Sequence, residues 1–160
     1  MTQPTLVEVD IGVTPEAAIS GAVLLQTEQR AFLAFNAMRN TTRPSPHGRF
    51  YKEAAGTAVI ELVGCTITKF GYPNDEAWRD IPLTKGLSYG VFEVQNSAWR
   101  QELVRLNQFS FPGTREWSGR HFIFLFHDSS FECIASELRL ELSDEPFNLL
   151  FSKVADRALE

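Results

Sequence analysis

Residues 56 to 70 read GTAVIELVGCTITKF, a long run rich in β-branched side chains with one glycine, Gly64, in its middle. Val, Ile and Thr favour extended backbone because their branched Cβ is stiff and packs well on a pleated surface. The run is longer than an ordinary strand, and a glycine inside a strand marks a bulge or a bend. The stretch therefore predicts a strand that turns where two sheets meet, and so a layered, β-rich chain.

The flanking sequence agrees. TLVEVDIG (5–12) alternates like an edge strand, and VTPEAAIS (13–20) predicts a short helix or turn, with Thr14 as cap and Pro15 at its first position. GAVLLQT (21–27) and AFLAFNAM (31–38) read as a hairpin, whereas the prolines, glycine and hydroxyls of RNTTRPSPHGRF (39–50) predict an exposed loop. GYPNDEAWRDIP (71–82) has turn chemistry and room for one helical turn before Pro82, and SYGVFEVQ (88–95) is another strand. The period then changes. Trp99, Leu103 and Leu106 fall at i, i+4 and i+7 behind Ser97, predicting an amphipathic helix over 97–107. FPGTREWSG (111–119) reads as loop, and HFIFLFHD (121–128) with FECIASELRLEL (131–142) as the last hairpin. Pro146 opens a C-terminal helix with Phe147, Leu150, Phe151, Val154 and Ala158 on one face. The sum is a mainly β (α+β) fold in one globular domain, residues 1–160: an antiparallel curved sheet, sandwich or barrel-like, with one mid-chain and one C-terminal helix.

With 160 residues, 44% of them apolar and thirteen of them Phe, the chain can bury a core without disulfide or metal staples. A net charge of −5 and no run of Lys and Arg argue against nucleic acid or an anionic membrane as partner. MTQPTLVEVDIG carries neither a basic nor an apolar leader pattern, so a cytoplasmic location is expected. Cys65 and Cys133 sit in apolar runs and read as small buried hydrophobes. Neither has a second Cys or a His at zinc-finger spacing. A three-histidine site would require His47 to fold over the sheet, so neither metal nor cofactor is expected.

In HFIFLFHDSSFEC (121–133), Phe122, Phe124 and Phe126 share one face, and His121, Ile123, Leu125 and His127 the other. A turn on Ser129 and Ser130 would set His127 across from Glu132, beside Asp128, a set able to serve as acid and base or as part of a metal site. A strand-end His and Glu, with Asp128 accepting turn hydrogen bonds, is also structurally adequate without catalysis. Glu61 and Glu93 interrupt apolar strands and need either a solvated face or a partner; near Glu132 and His127 they would form an acidic cluster. Asn96 and Ser97 stand where a strand passes into a helix, a place where amides can meet an anion or a substrate carbonyl. Tyr72, Asn74, Asp75 and Trp78 form a polar-aromatic loop suited to ligand or partner binding.

No phosphate loop, nucleophile elbow, His-Glu-x-x-His run or dinucleotide fingerprint occurs. The leading expectation is a binding or interaction protein that uses an aromatic-lined pocket, or the loop near residues 71–82, for a small molecule or a protein partner. Its alternative is a small hydrolase, lyase or isomerase built on His127, Glu132 and Asp128. The edge strand at 5–12 offers a route to a homodimer. The blocks GCTITKFGYPNDEA, YGVFEVQNSAW and HFIFLFHDSSFECIA together resemble a group of small, uncharacterised bacterial proteins. That resemblance implies a bacterial, cytoplasmic origin and supplies no activity or site residue.

Overall fold

The computed structural model describes residues 2–114 and 117–160. In chain order the strands are β1 (Thr5–Glu8), β2 (Thr14–Pro15), β3 (Val23–Gln26), β4 (Ala31–Pro44), β5 (Phe50–Val63), β6 (Ile67–Gly71), β7 (Gly90–Gln95), β8 (Arg120–Leu125), β9 (Ser130–Ala135) and β10 (Glu137–Ser143). The helices are α1 (Asp75–Trp78), α2 (Ala98–Ser110) and α3 (Phe147–Leu159). Every strand pair is antiparallel. One sheet orders β1-β7-β8-β9-β6 and the other β10-β5-β4-β2, with β3 also paired to β4.

The long β-branched run does turn a corner. β5 and β6 lie in different sheets, with Gly64 between them at φ +60°. Their partners turn with them: β10 pairs with β5 (Val63↔Glu137), and β9 pairs with β6 (Ile67↔Ile134). Residues 57–71 and 130–143 are thus one antiparallel ribbon, folded over so that each half serves a different sheet. At the fold, Ser136 N donates to Val63 O (2.8 Å) and Thr66 N to Ile134 O (2.9 Å). A side chain on Gly64 would meet Ser136 Oγ at 2.7 Å.

The sheets pack face to face. Leu33, Phe35, Ala58, Ile60 and Leu62 from one meet Val91, Phe122, Phe124, Phe126, Phe131 and Cys133 from the other, all nearly or wholly buried. The Phe35 ring lies 5.4 Å from Phe126 and 6.3 Å from Phe124, and the Phe124 ring 5.6 Å from Phe131. Such tilted and edge-on contacts contribute about 0.5–1.5 kcal/mol each beyond simple burial. The outer faces are covered too. Leu150, Val154 and Ala158 of α3 pack on Phe32, Ala34 and Val59, while Trp78, Leu83, Leu87 and Tyr89 pack on Phe92, Val94, Ile123 and Leu125.

Four expectations need correction. Thr14 and Pro15 form a short edge strand on Met38 and Ala37, a place where the missing N–H of proline costs nothing. The loop expected at 39–50 is mostly strand: β4 runs to Pro44 and β5 resumes at Phe50, because the turn needs only the residues between them. β9 and β10 are separate strands that part at Ser136 and enter different sheets. The barrel-like alternative falls, since no strand ladder joins the two sheets among the described residues. Part of the loop expected at 111–119, Arg115 and Glu116, lies outside the described residues.

Gly64→Ala should destabilise the protein by about 1–3 kcal/mol, combining left-handed backbone strain with the clash on Ser136. Urea unfolding of the two proteins measures the difference, and an unchanged midpoint would show the corner to be tolerant.

Candidate functional site

The turn that joins β8 to β9 decides which polar residues meet. Leu125 pairs with Ser130, and Phe126 N donates to Ser129 O (3.0 Å), so His127 and Asp128 form the tip. The expected pairing of His127 with Glu132 is therefore incorrect; Glu132 stands across from Ile123. The choice is physical: this register sets Phe124 against Phe131 in the core and leaves the tip to the two residues that water tolerates best. The slip is four residues along the strand, an even number, so Glu132 stays on the face that also carries His121.

His121 and Glu132 meet diagonally across β8 and β9, with Nε2 and Oε2 2.7 Å apart. The other imidazole nitrogen, Nδ1, is 2.8 Å from Ser97 Oγ. Ser97 is placed by the exit of β7. Asn96 takes a left-handed turn (φ 56°), which asparagine tolerates, and Ser97 then opens α2, its Oγ accepting from Arg100 N (3.0 Å). Ser97 and His121 are each only 5% exposed. Trp99 sits edge-on to the imidazole at 5.1 Å, and Lys69 Nζ lies 3.8 Å from the Trp99 ring centre.

Burial pushes the Glu132 carboxyl pKa up, but the hydrogen bond from His121 and the charges of His121 and Lys69 outweigh it and hold the group below its ordinary 4.5. An ionised carboxylate only accepts, so Nε2 donates to Glu132; in the neutral imidazole Nδ1 then presents its lone pair to the Ser97 hydroxyl. In that form a continuous relay runs from Ser97 O–H to His121 and from His121 N–H to Glu132.

Ser97 and His121 line a cleft of about 310 Å³ together with Asn96, Gln101, Arg100 and Arg120. Arg100 helps build its wall, donating from Nε to Gly119 O (2.5 Å) and from Nη2 to Trp117 O (2.7 Å). Arg120 is ion-paired with Glu93, which raises its pKa further. Glu93 and Asn96, both expected near a ligand, do border this cleft. Glu61 does not, because it belongs to the other sheet and pairs with Arg30 at 2.9 Å; no acidic cluster forms from Glu61, Glu93 and Glu132.

The remaining expected residues gather beyond the opposite end of β8. His127 Nδ1 lies 2.9 Å from Asp75 Oδ2, which also accepts from Tyr89 OH (2.7 Å). Arg79 Nη2 donates to Tyr89 OH (3.1 Å) and lies 3.5 Å from the same carboxylate oxygen. Asn74 caps α1 through Ala77 N, Tyr72 projects into solvent at 84% exposure, and Asp128 is at the exposed tip with Oδ1 3.9 Å from His127 Nε2. Trp78, expected on a partner-facing loop, is 1% exposed: its indole roofs Phe92 and Leu125, and its N–H reaches Phe126 O (3.2 Å). Burial raises both thiol pKa values, leaving Cys65 and Cys133 poor nucleophiles.

His121, Tyr89 and the nucleophile-like placement of Ser97 are what sequence reasoning missed. A turn on His127 and Asp128 would have brought Glu132 to His121, whereas Ser97 and Tyr89 reach their partners from the two ends of β7, the strand beside β8.

No protein family, curated protein or solved structure matches the chain.

The Asp75–His127 pair has a defined pH signature. The Tyr89 hydrogen bond first, with that of His127, holds the Asp75 pKa below its ordinary 3.8, and the Asp75 hydrogen bond raises the His127 pKa above 6.5. The histidine's contribution to stability is present in full below its unfolded pKa and is lost as pH rises through the raised folded one; the aspartate's is lost as pH falls through the lowered one. From about pH 5, where both contributions are present, to about pH 9, where the histidine's is lost, the urea midpoint should therefore fall further for wild type than for His127→Gln. Equal falls would mean that the pair adds nothing.

Proposed function

We propose that the chain is a small serine-type acyl hydrolase, cleaving an ester or amide, with Ser97 as nucleophile. One observation carries this reading: the relay from Ser97 Oγ through His121 to Glu132, set on the wall of a cleft. A helix cap needs only the Arg100 amide. It calls for no buried imidazole with one nitrogen on the serine and the other on a carboxylate.

The chemistry follows from the tautomer. Ser97 Oγ attacks the acyl carbon while its proton passes to His121 Nδ1, and Glu132 stabilises the imidazolium through Nε2–H. His121 then protonates the leaving alkoxide or amine, which departs. Water, deprotonated by the same nitrogen, releases the acid and returns Ser97 to its starting state. The first amides of a helix have no intrahelical acceptor, so Ala98 N–H, directly after the nucleophile, is available to the developing oxyanion.

The test is covalent. A fluorophosphonate probe should add its phosphonyl group to the Ser97 peptide, read by mass spectrometry. Labelling should vanish in Ser97→Asn, which keeps a helix cap and a near-wild-type thermal midpoint. His121→Ala should slow it roughly 10²- to 10⁴-fold by removing the base. No adduct at Ser97, or a rate indifferent to His121, would sink the proposal. An unlabelled protein whose melting midpoint rises with a small polar molecule held in the same cleft would instead be a binding protein.

A further inference from the structure

The hairpin of β4 and β5 outgrows the sandwich. β2 reaches only to Met38 on β4, and β10 ends against Thr57 on β5. Beyond these points no further strand pairs with the ribbon among the described residues, and every residue from Arg39 to Ala54 is exposed or half-buried. The arm reaches about 20 Å past Met38, at roughly 3.3 Å per residue. A two-stranded ribbon is marginally stable on its own in water. Here it also exposes Phe50 (54%) and Tyr51 (43%), the latter beneath the Arg43 guanidinium.

Its charge opposes that of the body. Residues 39–55 carry Arg39, Arg43, Arg49 and Lys52 against the single acid Glu53, a net +3. The whole chain is −5, so the remainder carries −8. The hollows at the root of the arm carry carboxylates of that acidic remainder. One, of about 290 Å³, is bordered by Glu8 and Asp10 and by Arg39 of the arm, itself paired with Glu53 at 2.8 Å. The other, of about 470 Å³, is bordered by Glu16, Asp144 and Glu145, the last also paired with Lys153, and by Ile19, which is 68% exposed.

We infer that two copies of this chain dock about a twofold axis, each laying the basic, aromatic tip of its arm against the acidic root of the other's. A twofold contact uses one self-complementary patch, and an arm basic at its tip and acidic at its root is such a patch when two lie antiparallel. Ile19 and the neighbouring hollow then receive Phe50 or Tyr51 of the second copy. Duplex nucleic acid fits less well, because its phosphates would meet the root carboxylates and the −8 body alongside the four cations. This contact is independent of the Ser97 cleft.

Sedimentation equilibrium of the full chain decides the matter. Wild type in low salt should give twice the 18.0 kDa chain mass and dissociate as salt is raised. Arg43→Glu with Arg49→Glu should halve the mass, and so should Glu16→Lys with Asp144→Lys. An equimolar mixture of the two reversed proteins should restore the dimer mass as a one-to-one heterodimer, which no misfolded variant would do. A wild type that stays at 18.0 kDa at millimolar concentration overturns the inference. So would arm-reversed variants that remain dimeric, or a monomeric wild type that binds duplex DNA through Arg43 and Arg49.

Discussion

β8 has no polar face, and the rest of the molecule is arranged around that constraint. Phe122 and Phe124 point to one side and Ile123 and Leu125 to the other, so both sides of the strand need an apolar cover. The second sheet provides one and the segment holding Trp78, Leu83, Leu87 and Tyr89 the other. That outer cover packs over Ile123 and Leu125, and His121 continues the same row beyond them. A buried imidazole there needs polar neighbours, and Ser97 and Glu132 supply them. The candidate site begins where the hydrophobic roof ends.

The two histidines flanking this strand show how position sets what one side chain can do. His127, at the exposed tip, gives Nδ1 to Asp75 and leaves its ring partly in water. It fastens the β8–β9 turn to the segment that roofs the sheet, and Asp75 N reinforces the link by donating to His127 O (2.9 Å). His121 is nearly buried, on the wall of the cleft, and both its nitrogens are engaged by groups of opposite character. A carboxylate beside a histidine is thus a fastening in one place and the orienting end of a proton relay in the other.

Much of the fold was legible because periodicity is a local property. Gly64 in a β-branched run marked the corner, Trp99, Leu103 and Leu106 behind Ser97 marked α2, and the stripe of Phe147, Leu150, Phe151, Val154 and Ala158 marked α3, of which Leu150, Val154 and Ala158 are buried while Leu106, Phe147 and Phe151 stay exposed. What could not be read is what depends on pairing partners. The 39–50 segment has loop composition, yet it pairs with itself, with a register shift between Asn40 and Pro44, because a hairpin needs no buried face to form its ladder. The site was half legible. Glu132, Glu93, Asn96 and the strand-to-helix junction stood out, but placing the hairpin tip two residues too late shifted the pairing by four and assigned Glu132 to the wrong histidine. Trp78 was misplaced for a related reason: a tryptophan in a polar loop gives no sign of which strand lies beneath it.

The folded-over ribbon of residues 57–71 and 130–143 has a mechanical meaning. In many sandwiches the two layers are held by side chains alone and can slide or splay. Here two adjacent strands continue from one layer into the other, stitched at the bend through Val63, Thr66, Ile134 and Ser136. The layers behave as a sheet of paper creased at one edge: they can open like a book about that crease but cannot shear past each other.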